Sequence, residues 1–298
     1  MAILTVIIWG TTYISTKVLI ENGLRPAEIF FYRFLMAYVC IWLFSGRRIW
    51  SDNWKDELLF MASGLTGGSM YFLFENTALT ITLASNVALI LCTAPILTTF
   101  LYFLLHRGEK LKPNFIFGSL LAFLGVALVI FNGGFILKIS PLGDALTILA
   151  ALMWAFYSLI IKNLNGKYAT LFVTRKVFFY GLLTILPIFI FEPLRFDSKV
   201  LFQPLVLMNL LFLGIIASML CYISWNTATK KLGVLRVTNY IYFSPIVTLI
   251  ASAVIINEKL TLVALMGSVF ILFGVFMAEK GLKFGSNRNT SDGSFKDI

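Results

Sequence analysis

The sequence predicts an all-α integral membrane protein, with ten transmembrane helices arranged as two inverted five-helix repeats. Three observations predict it. The 298-residue chain is 59% hydrophobic and only 13% charged, about half the charged share of an ordinary soluble domain, and its mean hydropathy is +0.90. Its apolar runs reach or approach the roughly 20 residues that a spanning helix needs. The two halves of the chain also resemble each other at near-constant offsets, which is how a structural repeat shows itself. Strict alternation of apolar and polar residues is absent, and this argues against a lipid-embedded β-barrel.

The first span, 3–20, has no basic segment before it and outruns the short apolar core of a cleavable signal. Pro26 introduces a second span at 27–45, in a position where a missing N–H costs least. Spans at 58–80 and 84–105 follow, the latter interrupted by Pro95. Pro113 opens a fifth at 113–131, and Pro141 precedes a sixth at 143–162. The remaining four are expected at 169–191, 205–228, 236–257 and 262–280, with Pro204 just before the eighth and Pro245 inside the ninth. The polar tail 281–298 reads as a disordered cytoplasmic segment. Cys40, Cys92 and Cys221 fall inside spans, far apart and without metal-ligand spacing, and read as small apolar residues. No metal or cofactor is implied.

Basic residues in the loops set the orientation. Fifteen fall on one side, Arg47, Arg48, Arg107 and Lys110 among them, against Arg25, Lys138, Arg195, Lys199 and Lys259 on the other. The richer side, with both termini, is expected in the cytoplasm. The compact length without organelle-type extensions suggests a bacterial inner membrane. The formal charge of +10 follows from this asymmetry and requires no nucleic-acid partner; the expected partners are the lipid bilayer and a small-molecule substrate.

At a shift of 150, Gly64 falls on Gly214, Asn76–Ala78 on Asn226–Ala228, Pro95 on Pro245 and Thr98 on Thr248. At 149, Glu109 meets Glu258, Gly118 meets Gly267 and Gly125 meets Gly274. At 145, Trp9 pairs with Trp154 and Lys17 with Lys162, and Arg33 aligns loosely with Arg175 or Lys176. Residues 1–135 therefore read as one five-helix repeat and 136–280 as a second, with 281–298 left over. Five is odd, so the second repeat enters the membrane from the opposite side. Inverted repeats favour alternating access, with the substrate path between the halves near the midplane.

These motifs carry a resemblance. The segment WGTTYISTKVLIE…RPAEIFFYRF, and the Pro95 segment running on to GEKL, resemble the EamA-type transporters of the drug/metabolite transporter superfamily. The matching positions are Trp9, Gly10, Lys17, Arg33, Pro95 and Glu109, with counterparts in the second half, and the resemblance covers residues 4–280. It implies ten helices, two EamA repeats, and export of small metabolites such as amino acids.

Depth singles out the charges. At about 1.5 Å per residue, Lys17 lies about 5 Å, Glu75 about 8 Å and Arg33 about 9 Å inside the outer boundary. An unpaired charge facing lipid is expensive. The cluster therefore reads as a gate or charge-pairing set, Arg33 with Glu75, with Lys162 and Arg175 at the matching level of the other repeat. Lys17 has a plainer reading as a snorkelling side chain. Glu75 corresponds to Trp225, so the acid is one-sided and is the in-span carboxylate that could carry a proton. Pro95 and Pro245 each sit among hydroxyls and are expected to kink their helices. GSLLAFLG and GSVFILFG place Gly118, Gly125, Gly267 and Gly274 on helix faces fit for close packing, within the chain or in a homodimer.

The substrate cavity is expected among mid-span polar aromatic positions: Trp9, Thr12, Tyr13, Tyr71 and Asn86 from the first half, and Trp154, Tyr157, Ser158, Trp225, Asn239 and Tyr242 from the second. Aromatic walls with a few amide and hydroxyl groups suit an amphipathic metabolite. A nucleotide-sugar or phosphorylated-metabolite antiporter is the alternative within the superfamily; it would need several cations converging at mid-depth. A lipid scramblase or channel is a reading of a different class. An enzyme finds little support: His106 is the one histidine, and no metal-ligand or nucleophile motif is present.

Overall fold

A computed structural model describes residues 1–46, 48–82, 84–105, 113–131, 140–247 and 261–282. Among these the chain is helical throughout, without a strand. Six helical stretches, 2–21, 26–44, 87–105, 141–167, 170–191 and 204–232, are long and apolar enough to cross a membrane. Shorter apolar helices accompany them at 113–128 and 265–278. Large apolar side chains such as Trp42, Phe44, Phe117 and Phe273 are exposed on the outside, as they are on a surface solvated by lipid.

Helix α1 is Ala2–Glu21 and α2 is Pro26–Phe44. Glu28 fixes the start of α2 by accepting from the Arg25 N–H at 3.0 Å, and its other oxygen takes the Arg195 N–H at 3.0 Å. Helix α3, Trp54–Gly64, is capped by Asn53, whose side chain accepts from the Asp56 N–H. It begins four residues before the expected span, so Asp56 and Glu57 sit in its first turn. A π-helical stretch, Leu65–Ser69, leads into α4, Met70–Ile81. The fourth run breaks between α5, Ala84–Leu91, and α6, Ala94–Leu105, immediately before Pro95. Helix α7 is Pro113–Phe131 and α8 is Pro141–Lys167, the latter longer than expected at both ends.

Helix α9, Thr170–Ile185, is followed by the short α10, Ile188–Phe191, and α11, Ser198–Leu201. The eighth run joins α12, Pro204–Leu211, to α13, Cys221–Leu232, through a second π-helical stretch, Phe212–Leu220. Helix α14, Val234–Asn239, passes through a 3₁₀ turn, Tyr240–Phe243, into a helical turn at 244–247 that contains Pro245. Helix α15 is Leu262–Leu282. Expectations for Glu109, Glu258, Arg47, Arg107, Lys110, Lys138, Lys259, Thr248, the end of the ninth span and 283–298 lie outside the described residues.

Helices cross-brace at mid-length where glycine removes the side chain. A Cβ on Gly64 of α3 would meet Tyr180 and the backbone of Gly181 on α9; one on Gly214 would meet Met36 and the Arg33 carbonyl on α2. The tightest pairing joins α7 to α15. A Cβ on Gly118 would lie 2.5 Å from the Gly274 carbonyl, and one on Gly125 2.5 Å from the Gly267 carbonyl. The four glycines thus face each other inside the chain. Of the two uses the sequence allows for these glycine faces, the described residues show the packing within the chain.

Because the atoms opposing Gly118 and Gly125 are backbone, they cannot swing aside. Gly125→Leu should destabilise the protein by at least the about 1–3 kcal/mol typical of overpacking. Thermal unfolding in detergent micelles should read this as a lowered Tm, whereas Leu at lipid-facing Phe117 should leave Tm nearly unchanged.

Candidate binding cavity

A cavity lies near mid-length of the bundle. Helix α1 contributes Val6, Trp9, Thr12 and Tyr13, and α2 contributes Arg33. Tyr71, Phe72 and Glu75 project from α4, and Leu91 and Ala94 flank the break before Pro95. The far wall is Trp154 of α8 and Tyr222 of α13, closed by Ile241 and Ser244 around the second proline. Both irregular proline segments therefore border the cavity.

The wall is an aromatic cluster. Trp9 meets Trp154 edge-on with ring centroids 5.1 Å apart, and Trp225 at 5.0 Å. Tyr71 approaches Trp154 at 5.3 Å. The Trp9 indole N–H donates to the Ala217 carbonyl at 3.0 Å, inside the second π-helical stretch, where widened turns free carbonyls from the regular ladder. In the first such stretch the Gly67 carbonyl accepts from the Tyr222 hydroxyl at 2.5 Å. The Trp154 indole N–H is buried and, among the described residues, donates to no protein group.

Two charges share this cavity. Arg33 is only 2% exposed; its Nε donates to Ser218 Oγ at 2.9 Å, and its guanidinium lies over the Phe72 ring at 4.2 Å. Glu75 is 6% exposed and accepts from the Tyr71 hydroxyl at 3.0 Å. No ion pair joins Arg33 to Glu75. The two charges act on each other without touching: Ser218 and Phe72 hold the cation, Tyr71 holds the anion, and both line the same space.

The other expected charges lie elsewhere. Lys17 is half-buried and does not line the cavity. Lys162 sits over the Tyr102 ring at 4.3 Å. Arg175 is buried at the end of the bundle that carries the N-terminus. There it donates to Ser45 Oγ and the Gly46 carbonyl, both at 2.7 Å, and to the Arg48 carbonyl. Of the expected cavity residues, Trp9, Thr12, Tyr13, Tyr71 and Trp154 line it. Trp225 packs behind Trp9; Tyr157 donates to Asn226 Oδ1 at 2.9 Å; Ser158 donates to the Trp154 carbonyl at 2.8 Å. These three form a second layer. Asn239 and Tyr242 are fully buried away from the cavity, and the Asn86 side chain lies outside the described residues.

Sequence reasoning missed a polar cluster at the N-terminal end. Glu57 pairs with Lys176 and also accepts from Tyr180 and from Ser51 Oγ at 2.6 Å. Asp56 pairs with Lys167 at 2.8 Å and accepts from Tyr168 at 2.8 Å. Asp56 precedes the apolar stretch that begins at Leu58. The Lys167 ammonium holds its carboxyl below the usual carboxylate range against the opposing effect of burial, helped by Tyr168 and Asn53. All three ion pairs among the described residues lie at this end. The available signal was two adjacent acids after an Asn cap, a helix-start pattern.

Lys176 and Glu57 have side chains only 4% and 7% exposed. Lys176→Met should therefore cost about 3–5 kcal/mol by stranding Glu57. Adding Glu57→Gln should restore much of the loss. A double-mutant cycle on Tm tests this; additive losses would show that the pair is not coupled.

The chain matches the EamA-like transporter family over residues 1–131 and 141–279. It is 27% identical over 278 residues to an uncharacterized transporter of Archaeoglobus fulgidus, covering 92% of this chain and 94% of that one. It is 25% identical to a probable amino-acid metabolite efflux pump of Escherichia coli, over 95% of each chain. A probable terminal-alkyne amino-acid exporter of Streptantibioticus cattleyicolor is 24% identical, over 93% of this chain and 92% of its own. A protein crystal structure at 17% identity superposes with a TM-score of 0.74 over 93% of this chain and 95% of that one, a likeness of fold.

Proposed function

Because the chain belongs to the EamA-like transporter family, within the drug/metabolite transporter superfamily, we propose that this multi-pass membrane transporter exports amino acids or related small amphipathic metabolites by alternating access. One observation carries the reading: a mid-depth cavity walled by aromatic rings and two opposite charges, drawn from α1, α2 and α4 on one side and α8 and α13 on the other. Aromatic walls accept apolar side chains, and the few polar groups orient the rest. The relatives named as amino-acid exporters support the same substrate class. A phosphorylated substrate is disfavoured, because Arg33 is the one cation lining the cavity among the described residues.

The ten-helix inverted repeat is part of this proposal. Gly64 and Gly214, which match at the 150-residue shift, brace helices α9 and α2 in the same manner. Both third-of-repeat helices carry a π-helical stretch, and both prolines follow an irregular turn. The broken symmetry supports alternation. Ala217 and Gly67 are repeat mates, as are Trp9 and Trp154. Trp9 holds the Ala217 carbonyl, Trp154 has no acceptor among the described residues, and Tyr222 occupies the Gly67 carbonyl instead. In the opposite-facing state the roles exchange: Trp154 takes the Gly67 carbonyl and Trp9 lets go. The Asp56–Glu57 cluster is the gate that closes the N-terminal end, which positive-inside topology puts in the cytoplasm of a cell with this protein in its inner membrane.

The direct test is counterflow in proteoliposomes with pooled labelled amino acids and, separately, a nucleotide-sugar pool. Saturable amino-acid exchange is expected; exchange of the sugar nucleotides alone would overturn the reading. The indole exchange has its own test. Trp9→Phe should lose one hydrogen bond, about 0.5–1.5 kcal/mol, and shift the conformational balance several-fold toward the opposite-facing state. Trp154→Phe should leave the described state as stable as before and slow exchange. Cysteine accessibility at Ser45 reports the balance; equal effects of the two variants would sink the exchange.

A further inference from the structure

We infer that Arg33 and Glu75 are the two poles of a zwitterion subsite, in which the guanidinium receives a carboxylate and the Glu75 carboxylate receives an ammonium. The inference rests on the export reading and names the chemistry its site selects. Arg33 commits its Nε to Ser218 and one face to Phe72. Among the described residues its two terminal nitrogens make no protein hydrogen bond, and the side chain borders the cavity. Glu75 commits Oε1 to Tyr71 and, among the described residues, has no protein donor on Oε2, and it borders the same cavity.

Two charges buried to this degree and left half-bonded are costly in a low-dielectric interior unless something answers them. Direct pairing would answer both at once, and the structure does not adopt it. Each is instead anchored by a different neighbour, which keeps the poles apart and aimed into one space. A ligand carrying a single charge would satisfy one pole and strand the other. A zwitterion satisfies both without carrying net charge into the bilayer interior. The Tyr71 ring, whose hydroxyl bonds Glu75, and the Trp154 ring against it then offer an apolar wall for the ligand's side chain, and their faces favour a nearby ammonium.

The geometry also assigns the support roles. Ser218 and Phe72 fix the guanidinium plane, which matters because bidentate carboxylate recognition needs the planar fork held in orientation. Tyr71 sets the Glu75 rotamer.

The experiment uses the full chain in nanodiscs and measures binding of four probes by calorimetry: phenylalanine, its methyl ester, phenethylamine and 3-phenylpropionate. The expectation is that phenylalanine binds and that each one-pole analogue binds at least about 10-fold more weakly, as charge-assisted hydrogen bonds are worth. Arg33→Gln should abolish the preference for phenylalanine over phenethylamine. Glu75→Gln should abolish its preference over 3-phenylpropionate. Arg33→Lys, which retains the charge, should recover part of the carboxylate preference and guards against loss of fold in the Gln variant. Equal affinity for phenylalanine and its methyl ester, or a uniform drop for all four probes in both Gln variants, would overturn the assignment. Counterflow with the same probes separates the two claims: saturable exchange of a one-pole analogue as fast as phenylalanine sinks the zwitterion subsite and leaves export standing. No exchange with any amino-acid or amine pool sinks the export reading, and the subsite with it.

Discussion

A bilayer interior offers no water to a buried charge or a freed carbonyl, so each must find its partner within the chain. The rest of the structure depends on this constraint. It separates two clusters that look alike in composition. At the N-terminal end, Glu57, Lys176, Tyr180 and Ser51 close on one another, as do Asp56, Lys167, Tyr168 and Asn53. At mid-depth, Arg33 is held by Ser218 and Phe72 and Glu75 by Tyr71, and among the described residues each keeps polar atoms without a protein hydrogen bond. A closed network suits a gate, and an open one suits a binding site.

The same constraint explains why the helices are irregular where they are. A π-helical stretch or a proline breaks the regular ladder and frees a carbonyl, which must be answered locally. Trp9 answers Ala217, Tyr222 answers Gly67, and at the break before Pro95 the Thr93 hydroxyl donates to the Ile90 carbonyl at 2.6 Å. The glycines of LTGGS make the first π-helical stretch tolerable for its neighbours, since a Cβ on Gly67 would run into the Tyr157 ring. The widened turns and the cavity wall are therefore one construction. The side chains that line the wall are also those that satisfy the backbone behind it.

Much of this was legible in the sequence, and what was not has a physical reason. Hydrophobic length gave the helices nearly to their ends, and the prolines marked the breaks at Leu91–Ala94 and before Pro245. Mid-span polar aromatics gave the depth of the cavity but not its azimuth. Trp9 and Trp154 face inward, whereas Tyr157, Ser158 and Trp225 sit one layer behind, because a helix shows its full circumference to a sequence reader. Asp56 and Glu57 fell just outside the expected span, which starts at residue 58, and their partners Lys167 and Lys176 lie more than 100 residues away. Pairing of Arg33 with Glu75 was expected from depth alone; depth cannot reveal that Ser218 and Phe72 reach the guanidinium first. The glycine faces were recognised, but which face met which was a matter of tertiary packing.

Coupling between ligand and conformation then follows from a single residue with two loyalties. Trp9 forms part of the cavity wall and also holds the Ala217 carbonyl. A ligand that displaces its ring acts on the π-helical stretch directly, with no intervening relay. The energy available through that bond is about 0.5–1.5 kcal/mol, enough to move a balanced equilibrium a few-fold but not to reverse a strongly biased one. In the proposed transport cycle the ligand's effect at Trp9 adds to the gain from satisfying Arg33 and Glu75, and the indole sets where in the fold that gain is applied.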